Sequence, residues 1–244
     1  MEYLQKIIRG DFEAQAKADS EKAVSKVDKM TDEEIDKRAK LMLARIGLNL
    51  EDLRGRTLDL GSGPNILERA ALKQNANVVS FDTNDFRFSK RKDLKGRVVG
   101  DAVELPFTDA SFDRIISMGA APPFLGDFGE EPETLAIMNE MLRVLRQGGE
   151  ARITPGVFAF IHNSSDRLEH LKKSWSEMTE DERTEYQRIS EAAKRRSFEY
   201  LQGKGYNMEW RKEEKYDYWL LRNSKSKFDA AGHKANILRG LIGL

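Results

Sequence analysis

Three patterns of apolar and polar positions succeed one another along the chain. Up to about residue 55 the apolar positions recur at helical spacing. Thr31-Asp32-Glu33-Glu34 reads as a capping box, a hydroxyl and a carboxylate three residues apart that satisfy free N–H groups at a helix start. Ile35, Ala39, Met42 and Ile46 then share one face, and Gly47 supplies the stop. Before it, Asp11–Lys29 is rich in Ala, Lys and Glu with a thin apolar stripe of Phe12, Ala16, Ala23 and Val27, which predicts a helix lying on another element.

From Arg56 to Thr154 short apolar runs alternate with helical segments. Strands are predicted at Thr57–Leu60, Asn77–Phe81, Arg97–Val99, Arg114–Met118 and Glu150–Thr154, with helices near Asn65–Lys73 and Pro132–Arg146. The second helix carries Leu135, Met138, Leu142 and Leu145 on one face and is expected to end at Gly148-Gly149. Such alternation builds βαβ units and parallel strands. A third zone opens near Ile161. A second capping box, Thr179-Glu180-Asp181-Glu182, starts a long polar helix towards Leu201, which Gly203 and Gly205 break. Strands Asn207–Arg211 and Tyr216–Arg222 follow. The chain thus divides into a helical cap (1–55), an α/β domain (56–222, with a helical insertion at about 161–189) and a tail (223–244).

Composition narrows the chemistry. Lys plus Arg equals Asp plus Glu at 41 each, so the 244-residue chain lacks the basic excess that marks most nucleic-acid binders. With no cysteine there is no disulfide, no Cys-ligated zinc or iron–sulfur cluster and no thiol nucleophile. The three histidines (His162, His170, His233) are too scattered to suggest a metal site. No run of 18 apolar residues or signal-peptide core occurs, so no integral membrane segment is expected and the expected location is the cytoplasm.

The central motif is Leu58-Asp59-Leu60-Gly61-Ser62-Gly63-Pro64-Asn65, where the first strand enters a helix. Its glycines allow a tight turn and a close backbone approach to a ligand. A dinucleotide site would want a third Gly where Ile66 stands, and no acid at Asp59. An acid two residues before Gly-x-Gly suits a cationic, amino-acid-bearing ligand instead.

Here the sequence resembles the class I S-adenosylmethionine-dependent methyltransferases, whose first motif is acid-x-Gly-x-Gly-x-Gly. Asp59, Gly61 and Gly63 match it, and Asn65 replaces the third Gly; Asn tolerates φ > 0 better than most side chains. Asp82 ends the second strand 19 residues after Gly63, where an acid can accept from both ribose hydroxyls. Gly100-Asp101-Ala102-Val103-Glu104-Leu105-Pro106-Phe107 resembles a segment of the methyltransferases related to ubiquinone and menaquinone biosynthesis. In that family the Asp accepts from the adenine amine and its neighbour's backbone supports the ring, which implies those roles for Asp101 and Ala102. Ser111–Met118 and Leu142–Gly149 resemble the family's fourth strand and its helix with double-Gly turn. The resemblance implies a Rossmann-like three-layer sandwich whose mostly parallel seven-stranded sheet has an antiparallel last strand. It also implies S-adenosyl-L-methionine as cofactor, S-adenosyl-L-homocysteine as product, and Asp59, Gly61, Ser62, Gly63, Asp82, Thr83, Asp101, Ala102 and Met118 as cofactor-binding residues.

The acceptor is not legible. Methyl transfer from a sulfonium needs alignment and exclusion of water, and a base only where the nucleophile must lose a proton. His162, placed by topology near the acceptor side, is a candidate base or a surface residue. Ala121-Pro122-Pro123-Phe124 is read as a Pro-stiffened loop on that side, since Ala at its first position cannot accept an amine's hydrogen bond. Phe158, Phe160 and Trp175 form a lid or core; Tyr216, Tyr218 and Trp219 read as strand packing, and Lys194-Arg195-Arg196 as a solvated helix face. The expected partner is a small-molecule acceptor. RNA or protein as acceptor, and cofactor binding without turnover, stay open, as does the oligomeric state.

Overall fold

The computed structural model describes residues 17–123, 131–156, 178–213 and 216–224. Two helices come first, α1 (17–28 of the described residues) and α2 (Asp32–Ala44). The Thr31 capping box is formed in full: Glu34 N donates to Thr31 Oγ1 at 3.2 Å and Thr31 N to Glu34 Oε2 at 2.7 Å. The α/β region runs β1 (Arg56–Leu60), α3 (Ile66–Leu72), β2 (Asn77–Asp82), β3 (Arg97–Val99), β4 (Phe112–Pro123), α4 (Glu131–Val144) and β5 (Leu145–Gly156). It closes with α5 (Glu180–Gly203), β6 (Met208–Glu213) and β7 (Tyr216–Arg222).

The seven strands lie in the order β3-β2-β1-β4-β5-β7-β6. The first five are parallel, and β7 inserts antiparallel between β5 and β6. Successive residues point to opposite faces of a strand, and here both faces are apolar. Leu58, Leu60, Ile115, Trp219 and Leu221 pack on one side, where α4 and α5 add Met138, Met141 and Leu201. Ile116, Tyr218 and Leu220 pack on the other, against Ile35, Leu43 and Leu53 and the α3 residues Leu67 and Ala70. The result is the three-layer, Rossmann-like sandwich that the strand–helix alternation implies. Trp219, 1% exposed, meets Phe198 at 5.9 Å and Trp210 at 6.4 Å between ring centroids. Tyr218 and Trp219 are therefore core, whereas Tyr216 is 45% exposed.

Two boundaries differ from the sequence expectation. α4 stops at Val144 and β5 starts at Leu145, ahead of the double glycine. Phe112 pairs with Leu145 and Arg114 with Glu150, so Arg146–Gly149 bulges out of the ladder. Gly149 is required there: a Cβ would lie 2.9 Å from the carbonyl oxygens of Arg146 and Asp113. At the other end β4 runs to Pro123, so Ala121-Pro122-Pro123 is strand and not loop. Proline's φ suits extended backbone; the register shift between Met118 and Pro123 takes Pro122 out of the regular ladder, and Pro123 pairs again opposite Gly156. Among the described residues no helix is long and apolar enough to cross a membrane.

Candidate functional site

Between β1 and β4 the strand order reverses, and crevices outside the carboxyl ends of such strands are where α/β sheets take ligands. The loop leaving β1 there is built from left-handed residues at alternate positions: Gly61 (φ 78°), Gly63 (φ 52°) and Asn65 (φ 58°). Gly61 N and Ser62 N donate to Phe81 O at 2.8 and 3.0 Å, which ties the loop to β2. Gly61 has a steric reason as well, since a Cβ would sit 2.0 Å from the Cβ of Ala120. Ser62 Oγ is buried and makes no hydrogen bond, so the loop presents an unspent hydroxyl.

Asn65 holds the backbone shape of the glycine it replaces, and its side chain does what a glycine cannot. It is fully buried; Nδ2 donates to Glu68 Oε2 at 3.1 Å, and Oδ1 accepts from Ser89 N at 2.9 Å. Glu68, also buried, accepts in addition from Ser80 Oγ (2.9 Å) and Gly96 N (2.8 Å). Ser89 Oγ donates to Asp28 in a short bond, and Lys90 N donates to the other Asp28 oxygen. Beside this cluster Arg69 donates to the carbonyls of Val27 and Met30 and to Asp32. One polar network thus joins the glycine loop, the segment after β2 and the junction of α1 with α2.

Asp59, Asp82 and Asp101 stand at the carboxyl ends of β1, β2 and β3, which are neighbours in the sheet. Asp59 is 4% exposed; burial first, then the nearby carboxylates of Asp82 and Glu68, push its pKa up to about 7. Asp82, equally buried, accepts from Gly63 N (3.0 Å) and Thr83 N (2.8 Å). Gly100 N donates to Asp82 O at 3.1 Å, bringing the next segment alongside. Asp101 is exposed and accepts from Val103 N at 3.0 Å, while Ala102 is buried. Arg143 of α4 pins the rest of that segment, donating to the carbonyls of Leu105 (2.8 Å) and Phe107 (2.7 Å) and pairing with Glu140.

A cleft of about 1110 Å³ opens on the loop, with Gly61, Ser62, Gly63 and Met118 in its wall. Asp59, Asp82, Asp101 and Ala102 are outside the cleft's lining. Residues of α1, α2, α5 and β7 line the rest of it. Lys194 lines it and pairs with Asp217 (3.4 Å) and Glu191 (3.5 Å), whereas its neighbours Arg195 and Arg196 are exposed, as a solvated face requires. His162, Phe124, Phe158, Phe160, Trp175 and residues 225–244 lie outside the described residues. Sequence reasoning missed Glu68, Ser89 and Arg143, whose partners lie as many as 61 residues away with no local motif.

Residues 58–153 match a family model described as a methyltransferase domain. Over 85% of this chain and 94% of the other, the structure resembles a Methanococcus maripaludis protein described as a candidate S-adenosyl-L-methionine-dependent methyltransferase (20% identity, TM-score 0.51). A Pyrococcus horikoshii protein aligns over 69% of this chain and 83% of its own, at 19% identity and TM-score 0.41. No curated protein matches the sequence. Residues 58–153 thus resemble a methyltransferase domain, and the chain has the Rossmann-like fold of the Methanococcus maripaludis protein.

Proposed function

We propose that the chain is an S-adenosyl-L-methionine-dependent methyltransferase acting on a small molecule, with S-adenosyl-L-homocysteine as product. The observation that carries this reading is the junction just described: three acids at the ends of adjacent strands, around a loop of left-handed residues at the switch point. The residues fit the cofactor. Ser62 Oγ is a buried hydroxyl without a partner, and the loop backbone faces the cleft. Asp59 would face the cofactor's ammonium, Asp82 and Thr83 its ribose, and Asp101 and Ala102 its adenine, with Met118 beside the reacting end. Bound there, the sulfonium supplies an activated methyl group for in-line displacement. The chain's own contribution is to fix the approach line and exclude water. The Gly100–Phe107 segment favours kinship with the ubiquinone- and menaquinone-type enzymes. A finite cleft and zero net charge favour a small acceptor over RNA.

Calorimetric titration with S-adenosyl-L-homocysteine tests the cofactor half. Binding that weakens by about 1.5–3 kcal/mol in Asp82→Ala is expected; no binding at millimolar ligand refutes it. Transfer of labelled methyl to a component of a metabolite extract tests turnover. Binding without transfer would leave a cofactor-binding protein.

A further inference from the structure

The helical wall of the cleft carries charge that the cofactor loop does not use. Lys26 of α1, Arg38 of α2 and Arg45 at the C-cap of α2 line the same space as the glycine loop and Met118. Arg38 and Arg45 are two turns apart and so share a helix face. All three are exposed, and none has an ion pair with another described residue. Arg45 is steadied by the ring of Tyr216, 4.8 Å from guanidinium carbon to centroid. The two carboxylates of the lining, Glu191 and Asp217, share the one ammonium of Lys194, so the four cations of the lining exceed its carboxylates by two. What remains uncompensated in the cleft is positive.

The same wall is apolar between its charges. Leu41, one turn from Arg38 and from Arg45, is 59% exposed, with Met42 beside it and Tyr216, 45% exposed, also in the lining. Only four large apolar side chains among the described residues are so exposed, and two of them line this cleft. Exposed apolar surface between unpaired cations suits a ligand that is itself apolar with an anionic end.

We propose that the acceptor is a small amphipathic anion: an apolar body on Leu41, Met42 and Tyr216, and an anionic head, carboxylate or phosphate, held by Arg38 and Arg45 with Lys26 at the rim. This rests on the methyltransferase reading of the same cleft. Guanidinium forks match either head bidentately, and charge-assisted bonds of that kind discriminate strongly against a neutral analogue.

The full-length protein saturated with S-adenosyl-L-homocysteine is titrated with octanoate, octyl phosphate, 1-octanol and octylamine. The two anions are expected to bind and to compete with each other, the alcohol to bind about tenfold more weakly or worse, and the amine not at all. In Arg38→Gln/Arg45→Gln both anions lose about tenfold or more, while affinity for S-adenosyl-L-homocysteine stays within about twofold. The substituted positions are exposed, and an unchanged melting temperature verifies the fold. Equal binding of alcohol and octanoate, no binding of either anion at millimolar concentration, or unchanged anion affinity in the double variant overturns the proposal. So does a loss confined to S-adenosyl-L-homocysteine, which would assign these cations to the cofactor's own carboxylate. If S-adenosyl-L-homocysteine fails to bind at all, it is the methyltransferase reading that falls, and the anion comparison is still read on the ligand-free protein.

Discussion

Asp59 should make cofactor binding release a proton. The carboxyl is buried next to Asp82 and Glu68, and its pKa stands near 7, first from burial and then from those neighbours. At pH 6 it is therefore ~90% protonated, and at pH 8 ~10%. A ligand ammonium placed beside it favours the carboxylate, so binding at pH 6 expels ~0.9 proton and at pH 8 ~0.1. Affinity for S-adenosyl-L-homocysteine should accordingly fall about tenfold between pH 8 and pH 6, some 1.4 kcal/mol. Calorimetry in buffers of differing ionisation enthalpy reads the released protons directly as the slope of apparent enthalpy. Asp59→Asn should abolish the slope at pH 6. A Kd identical at the two pH values, with no buffer dependence at pH 6, would refute the placement of the ammonium at Asp59. The free protein carries the complementary signature. A folded-state pKa above the unfolded value of 3.8 means stability that is fully present below pH 3.8 and lost as pH rises through 7. Asp59→Asn should thus stabilise the ligand-free protein at pH 8, by on the order of 4 kcal/mol at most.

Gly61→Ala should destabilise by about 2–4 kcal/mol in urea unfolding, because the new methyl meets Ala120 and the backbone is left-handed (φ 78°). Asn65→Ala strips the partners of Ser89 N and Glu68 at a position with φ 58°, and should cost about 2–4 kcal/mol. Asn65→Gly relieves the backbone alone and should fall between wild type and Ala; a Gly variant as stable as wild type would deny the side chain its role. Arg143→Ala should loosen 101–109, seen as faster amide exchange there, and cost about 2–3 kcal/mol through the stranded Leu105 and Phe107 carbonyls and Glu140.

The legible parts of the sequence were those with local causes. The Thr31 box is written within four residues, and the Gly61–Asn65 turn within five, down to an asparagine that does adopt the left-handed shape. The parallel pairing of β1 to β5 was legible because strands that alternate with helices pair in parallel; their order in the sheet was not. The errors came where tertiary pairing decides. Leu145 has a place on the apolar face of a helix, yet Phe112 recruits it into the sheet. Pro122 and Pro123 carry a turn's signature, yet β4 extends through them. Glu68 and Arg143 look like ordinary surface charges on amphipathic helices, and only the fold shows which backbone amides and carbonyls they serve. Arg38 and Arg45 were silent for the same reason: charges on a helix face read as solvation until a cleft is seen beside them.

The network through Asn65, Ser89 and Asp28 has a thermodynamic corollary. It makes the glycine loop and the α1–α2 junction two ends of one hydrogen-bonded cluster, with Arg69 clamping the same junction. Any ligand that orders one end lowers the cost of ordering the other, and linkage makes the benefit mutual. A molecule seated on Arg38 and Arg45 would then raise affinity at the glycine loop by the same factor that occupancy of the loop raises its own.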